Sequence, residues 1–292
     1  MIKIPAITII IPCYNRAYII SRAINSVLNQ TSNNWQLIVV DDGSTDDTET
    51  VVKKINDERI IYHKQTNKGP SAARNKGVSL AKSKWVTYLD SDDTLYDTYV
   101  ETMLEWLEKN PKTVYGIIRA RRTLSLYRGD RLIKSLDHSN DLPFDVTESD
   151  IFMKRFHFSS NGFVHKRDVF DGIIQWDEQL MHMEEWDLAM QIGERHPNSF
   201  LYVPIELCTY DQRHGVDGIC SNTPYLDWAH AFEYIYQKHR GSQQLIGQEW
   251  YPQRVDKWKA IDADFQNGLL PPPNLYFFPE YYTATPSIPV VA

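Results

Sequence analysis

Between residues 7 and 89 the chain alternates strand-like and helix-like runs, and this alternation narrows the fold more than any other feature. Ile7–Ile11 is a continuous run of strand length, broken by Pro12. Over Tyr18–Asn29, the sets Ile19, Ala23, Val27 and Ile20, Ile24, Leu28 recur at helical spacing. Gln36–Val40 reads as a second strand and runs into Asp41-Asp42-Gly43-Ser44. Ser44 or Asp46 is suited to cap a helix carrying Val51, Val52 and Ile55. Ile60–Tyr62 is a short third strand, and Pro70 opens a helix through Leu80. Trp85–Leu89 is a fourth strand, entering Asp90-Ser91-Asp92-Asp93. Such alternation predicts an α/β fold, a mostly parallel central sheet flanked by helices. Ligands of open parallel sheets bind beyond the carboxyl ends of the strands. Three polar clusters stand there: Pro12–Arg16, Asp41–Ser44 and Asp90–Asp93.

The rest of the chain is less regular. Met103–Leu107 belongs to an amphipathic helix that ends before Pro111. Val114–Leu126 and Arg131–Leu136 flank Arg128-Gly129-Asp130, which reads as a hairpin turn. Asp137–Glu148 is polar and is expected to be a mobile loop. Glu185–Glu194 reads as helix, Phe200–Val203 as strand and Leu226–His239 as helix. Pro271-Pro272-Pro273, Pro279, Pro286 and Pro289 exclude a long helix from Pro271–Ala292. That segment is expected to be an extended arm or disordered tail. Its aromatics, among them Tyr276, Phe277, Phe278, Tyr281 and Tyr282, would favour a partner surface, with a homo-oligomer as one outcome.

A length of 292 residues with 42% hydrophobic content suffices for one sizeable core, or a core with a small appendage. The net charge of −7 argues against a general nucleic-acid binder. Cys13, Cys208 and Cys220 are odd in number and form no CxxC pair. They argue against a disulfide framework or zinc site and for a reducing, cytoplasmic setting. Lys3 precedes Ile7–Ile11, but the run is short and no small-residue cleavage site follows, so it reads as a buried strand rather than a signal peptide. Arg119, Arg121, Arg122, Arg128, Arg131 and Lys134 form a local basic stretch. It is either a solvated face or a contact for an anionic acceptor or phospholipid. A soluble protein touching the cytoplasmic membrane peripherally is therefore within the expectation.

The run Asp90, Asp92, Asp93 carries the sharpest chemistry. Carboxylates two apart at a strand end can direct oxygens at one hard cation, Mn²⁺ or Mg²⁺, which often keeps substrate phosphates as further ligands. The bland alternative is a solvated acidic turn that caps the next helix.

Four segments resemble, in order and spacing, glycosyltransferase family 2. They are Ile9-Ile10-Ile11-Pro12-Cys13-Tyr14-Asn15, Val39-Val40-Asp41-Asp42-Gly43-Ser44-Thr45-Asp46, Gly69-Pro70-Ser71-Ala72-Ala73-Arg74-Asn75 and Tyr88-Leu89-Asp90-Ser91-Asp92-Asp93. The resemblance implies a GT-A (Rossmann-like) fold and an inverting transfer from a nucleotide-sugar donor, UDP-linked by preference, with Mn²⁺ or Mg²⁺ as cofactor. It implies that Pro12 and Tyr14 line the base and ribose pocket and that Asp42 accepts a hydrogen bond from the base. Arg74 would lie near the nucleotide, and Asp90, with Ser91, would face its ribose or the metal. Asp92 of the DXD motif would be the main metal ligand, and Asp93 would orient the sugar. His182-Met183-Glu184-Glu185-Trp186-Asp187-Leu188 resembles the family's Glu-Asp-x-Asp-Leu segment, whose second acid is the general base. Glu185 stands there in place of Asp, with Glu184 and Asp187 as rivals. Trp186 would stack on a sugar ring or pack in the core. Tyr210-Asp211-Gln212-Arg213-His214 loosely resembles the family's Tyr-Arg-x-His stretch, which makes His214 a candidate metal or diphosphate contact.

The resulting expectation is a GT-A domain over residues 1–222, with a nucleotide-binding half (1–96) and an acceptor-binding half (97–222). A C-terminal helical and extended-tail extension would occupy 223–292. The acceptor would be a glycan or lipid-linked glycan in polysaccharide, lipopolysaccharide or related assembly. A sugar nucleotidyltransferase would need a Gly-rich loop after the first strand, and Pro12-Cys13-Tyr14-Asn15 is not one. A non-catalytic nucleotide-sugar-binding module is opposed by the carboxylates of Asp92 and Glu185.

Overall fold

The computed structural model describes residues 4–128, 131–137, 146–152, 158–214, 223–242, 250–267 and 269–270. The chain divides into two compact units, residues 1–121 with 139–210, and residues 122–138 with 211–292.

In the first unit, four parallel strands stand in the order β3-β2-β1-β4: β1 (Ile7–Cys13), β2 (Trp35–Asp41), β3 (Ile60–Lys64) and β4 (Trp85–Tyr88). β7 (Val164–Lys166) lies antiparallel to β4, and β5 (Tyr115–Arg128) antiparallel to β7. β8 (Phe200–His214) pairs with β5. The mostly parallel central sheet flanked by helices is the one the alternation predicts.

The buried strands explain this layering. All of β1 is buried, as is β2 apart from Gln36, so helices must cover both faces. Ile7, Ile9 and Ile11 share a cluster with Ile20, Ala23, Ile24 and Val27 of α1 (Ile20–Leu28) and with Tyr99, Val100, Met103 and Leu107 of α4 (Tyr99–Lys109). Ile10 points the other way, toward α3 (Pro70–Leu80), as a period of two requires. There Gly77 is needed, because a Cβ would lie 2.5 Å from Ile10 Cγ2.

Several boundaries depart from expectation for identifiable reasons. β1 continues through Pro12, although proline cannot donate to a ladder. Leu89 N–H donates to Ile10 O at 3.0 Å, and Asp42 N–H donates to Cys13 O at 2.8 Å. By alternation Pro12 faces the β4 side, where β4 has already ended. α2 (Thr48–Lys53) begins beyond Asp46, whose carboxylate accepts Thr48 N–H at 3.0 Å, while Ser44 bonds elsewhere. β8 runs far past Val203. Pro204 and Glu206 break its apolar run, yet Tyr96 N–H donates to Leu207 O at 2.8 Å and Thr209 N–H to Thr94 O at 2.9 Å. Long-range pairing, invisible in the local pattern, extends the strand. α5 (Glu148–Phe152) and α6 (Glu184–Arg195) complete the unit's α-helices among the described residues.

In the second unit, the outer part of β5 pairs antiparallel with β6 (Arg131–Asp137), with Arg128 opposite Arg131, as the hairpin reading requires. Leu124, Leu126, Ile133 and Leu136 pack together. α7 (Tyr225–His239) and α8 (Trp250–Gln266) meet through Trp228 and Trp258, stacked with ring centroids 5.7 Å apart. Gly129 and Asp130 of the expected hairpin turn, residues 138–145 of the expected loop, Cys220 and the Pro-rich segment 271–292 lie outside the described residues. Among the described residues no helix is long and apolar enough to cross a membrane.

His165 of β7 is fully buried among Tyr88, Phe163 and Phe170. Lys166 O, 2.8 Å away, can only accept, so Nδ1 donates to it and Nε2 accepts the Tyr88 hydroxyl at 2.7 Å. Burial pushes the imidazole down to about 4. The folded form thus holds His165 neutral, while an unfolded His binds a proton below ~6.5. The contribution to stability is complete above that value and is lost as pH falls toward 4, up to about 3 kcal/mol. Urea unfolding at several pH values should show His165→Gln losing less stability than the parent protein between pH 7 and 4. Parallel curves would refute this.

Candidate active site

The three polar clusters meet because β2, β1 and β4 are neighbours and end at the same edge of the sheet. The chain runs from β1 to β2 and β3 on one side, then returns to β4 on the other. The crevice at such a reversal is where ligands bind in open α/β sheets.

The loops after β1 and β2 brace each other. Asn15 adopts a left-handed conformation (φ 54°), and its Oδ1 accepts Thr45 N–H at 2.8 Å. Its own N–H donates to Ser44 Oγ at 2.8 Å. Tyr14, the preceding residue, is 45% exposed, while Pro12 is buried. Asp41 accepts Ser44 N–H at 2.7 Å and the Tyr62 hydroxyl. Asp42 is buried. Its Oδ1 accepts Gln65 Nε2 at 2.8 Å and Lys68 N–H at 2.9 Å, and its Oδ2 accepts Gly69 N–H at 2.7 Å. Asp42 therefore holds the 65–69 loop in place, a role its motif position did not announce. One lone pair on Oδ2 is left over by these bonds. Gly43 has φ 84°, and a Cβ there would lie 2.9 Å from Asn67 N, so this turn requires glycine.

Arg74 is the hub of the site. Its guanidinium is 5% exposed and donates to Asp90 Oδ1 at 3.0 Å, Glu184 Oε1 at 3.0 Å and Ser160 Oγ at 3.1 Å. It also lies 4.7 Å over the Trp176 ring. Burial works against its charge, but Asp90 and Glu184 outweigh this and hold the guanidinium above its usual range. Burial likewise pushes the Glu184 carboxyl up, against the pull of Arg74. The pairing joins the loop after β4 to the start of α6, although Glu184 lies 110 positions beyond Arg74 in the chain.

The acidic loop is held at both ends. Asp90 Oδ1 and Oδ2 each accept Ser160 Oγ at 3.1 Å. Asp93 is 2% exposed and accepts Asn161 Nδ2 at 2.6 Å and Thr209 Oγ1 at 3.2 Å. Ser91 is buried, and Asp92 is half-buried, with its carbonyl accepting Arg22 Nη2. Among the described residues no three His, Cys, Asp or Glu side chains form a ready cage for a metal. The donor set fits a different kind of site. Mg²⁺-type cations commonly bind through one or two carboxylates and take substrate phosphates as the remaining ligands. Asp92 and the partly exposed Asp90 supply oxygens of that kind.

Met183, left-handed at φ 60°, turns the chain into α6. Glu184, Glu185 and Asp187 follow in its first turn, where the helix dipole favours negative charge. Glu185 is 7% exposed. Asp187 is fully buried and accepts Gln191 Nε2 at 2.6 Å, one helical turn away. Trp186 is fully buried, and its Nε1 donates to Ile151 O at 2.5 Å, so it belongs to the core. His214 ends β8, and its side chain lies outside the described residues. The basic stretch is not one open face: Arg119 is buried, with Nε 3.5 Å from Glu206, and Arg122 donates to Gln212 Oε1 at 2.7 Å. Ser160, Asn161 and Thr209 were not singled out in the sequence, since no local motif surrounds them.

The sequence profile described as "Glycosyl transferase family 2" matches residues 8–173, more than half of the chain. An uncharacterized glycosyltransferase of Rickettsia felis is 44% identical over 107 residues, which are 36% of this chain and 17% of that protein. The GalNAc(5)-diNAcBac-PP-undecaprenol beta-1,3-glucosyltransferase of Campylobacter jejuni is 34% identical over 38% of each chain. WfgD of Escherichia coli, a UDP-Glc:alpha-D-GlcNAc-diphosphoundecaprenol beta-1,3-glucosyltransferase, is 38% identical over 36% of this chain and 42% of its own. This chain thus spans less than half the length of these relatives. Among solved structures, S. aureus TarS 1-349 in complex with UDP-GlcNAc superposes with a TM-score of 0.64 at 18% identity, covering 89% of this chain and 72% of that one. The mannosyltransferase PcManGT from Pyrobaculum calidifontis, in complex with GDP-Man and Mn²⁺, gives 0.59 at 16% identity, covering 90% and 76%. At these identities the likeness speaks for the fold, which is that of the GT-A neighbours. With the four motifs in order and spacing, and the profile over most of the first unit, the chain belongs to glycosyltransferase family 2.

Proposed function

We propose that this chain transfers a sugar, with inversion, from a nucleotide-sugar to an acceptor hydroxyl in glycan assembly. The observation that carries the reading is the Arg74 bridge. One guanidinium spans from the Asp90–Asp93 loop to the start of α6, so the loop that carries Asp92 and the helix start that carries Glu185 are tied to one side chain. UDP in the donor is supported by the UDP-Glc named for the E. coli relative and the UDP-GlcNAc bound by TarS. The undecaprenol-linked acceptors named for two relatives support a lipid-linked glycan acceptor, reached from a peripheral position on the membrane.

The residues divide the work as follows. The leftover lone pair of Asp42 Oδ2 accepts an N–H of the base, and Tyr14 and Pro12 flank base and ribose. Asp90 and Ser91 face the ribose, and Asp93 orients the sugar. Asp92 would hold Mn²⁺ or Mg²⁺. When bound, the cation neutralises charge on the departing diphosphate. Glu185 stands at the position of the family's second acid, in the first turn of α6, and is the base in this reading. Its carboxylate takes the acceptor proton as the hydroxyl attacks the anomeric carbon from the face opposite the diphosphate.

Incubation with a panel of UDP- and GDP-sugars and Mn²⁺ should release free nucleoside diphosphate, and NMR of the product should show the inverted anomer. Retention of configuration would overturn the single displacement. Asp92→Asn should abolish transfer and weaken Mn²⁺ binding, because the amide lacks the charge a hard cation needs. A variant with full activity and unchanged metal dependence would remove Asp92 from this role. Glu185→Gln should cut turnover by ~10²-fold or more while nucleotide binding persists. Glu184→Gln should instead lower stability by about 1–3 kcal/mol, since it weakens a charged bond to buried Arg74. If Glu184→Gln is the folded but inactive variant and Glu185→Gln stays active, the base has been misassigned.

A further inference from the structure

Asn161 lies in the segment that leads into β7, 68 residues beyond the acidic loop, and is 3% exposed. Its side-chain amide touches both ends of that loop. Oδ1 accepts the backbone N–H of Asp90 at 2.7 Å, and Nδ2 donates to Asp93 Oδ2 at 2.6 Å. The two partners settle the orientation of the amide, because an N–H can only donate and a carboxylate can only accept. The loop closes on itself as well, through Asp93 N–H donating to Asp90 O at 3.1 Å. Asp92 sits between these two anchored residues.

Asn161 is itself held rigidly. It bridges to Tyr88 at the end of β4, and the next residue, Gly162, donates its N–H to Tyr88 O at 3.2 Å. Gly162 has φ 73°, and a Cβ there would lie 2.2 Å from Ile118 Cγ1, so this turn admits only glycine. The Cys208 thiol donates to the Asn161 carbonyl at 3.8 Å. A fixed turn therefore delivers one planar group that offers an acceptor and a donor at a set spacing. Aspartate would present a carboxylate to Asp93, and leucine would satisfy neither partner. Asparagine is the residue whose chemistry meets both.

We propose that Asn161 is a positioning residue, clamping the Asp90–Asp93 turn so that Asp92 is presented to the metal–diphosphate of the donor. The inference rests on the assignment of Asp92 as the metal ligand and adds what sets its geometry. Preorganisation of this kind keeps the loop from having to be ordered by the ligand at the moment of binding.

The test compares the full chain with Asn161→Ala and Asn161→Asp, each first checked for a cooperative thermal transition. Calorimetry with UDP and Mn²⁺ should show metal-dependent affinity reduced at least tenfold in both variants. Affinity for uridine, which carries no phosphate, should stay within twofold of the parent. In the absence of any ligand, hydrogen exchange of peptides covering residues 89–95 should rise, while that of β2 should not. Should Asn161→Ala fail to fold, Asn161→Ser, which can satisfy one partner but not both, should still lose at least threefold in the metal-dependent measurement. Unchanged UDP–Mn²⁺ affinity with unchanged exchange would overturn the proposal. Equal losses for uridine and UDP would also overturn it, by showing a general structural role. If the parent itself fails to bind UDP with Mn²⁺, the donor reading fails, and the exchange measurement still decides whether Asn161 clamps the loop.

Discussion

The ion pairs of Arg74 are the interaction on which the arrangement of the site depends. A guanidinium withdrawn from water loses several kcal/mol of hydration, and only close carboxylates with good geometry offset that. Arg74 has two, Asp90 and Glu184, along with the Ser160 hydroxyl. The partners come from the end of β4, the start of α6 and the segment before β7. Burying the cation is therefore possible only when all three elements have arrived. The planar fork of arginine can face two carboxylates at once, which the single ammonium of lysine does less well. The same charge lets acidic groups gather at one end of the sheet without mutual repulsion deciding against them.

Around this hub, loop is tied to loop by side-chain-to-backbone bonds rather than by apolar packing. Asn15 binds the Asp41–Asp46 turn, Asp42 binds the segment entering α3, and Asn161 binds the acidic loop. Each tie satisfies backbone groups that strand ends leave unpaired. Left-handed residues at Asn15, Gly43, Gly162 and Met183 make the sharp turns these contacts need. The polar groups at the crevice are thus held before any ligand arrives, as catalysis by preorganised groups requires.

Much of the first unit was legible in the sequence. β1, β2, β4 and α1 follow from apolar runs with clear periods, because local spacing records which face of an element meets the core, and α3 from Pro70 at its start. The hairpin was legible from its turn residues Arg128-Gly129-Asp130. The length of β8 was not, because Pro204 and Glu206 interrupt its pattern and its partners lie a hundred residues away. Trp186 is a related case. Its sequence suits a sugar-stacking platform as well as a core, and only the enclosing structure puts it inside.

The motifs, the order in which they occur and the membership of glycosyltransferase family 2 were readable along the chain alone. These are properties of residue type and spacing along the chain, which need no knowledge of distant contacts. Only the tertiary structure decided which acid pairs with Arg74, that Asp42 spends three bonds on its own neighbourhood, and that Ser160, Asn161 and Thr209 hold the acidic loop. The reason is physical. A carboxylate's role is set by what lies within about 3 Å of it, and here those partners stand 16 to 116 positions away in the chain.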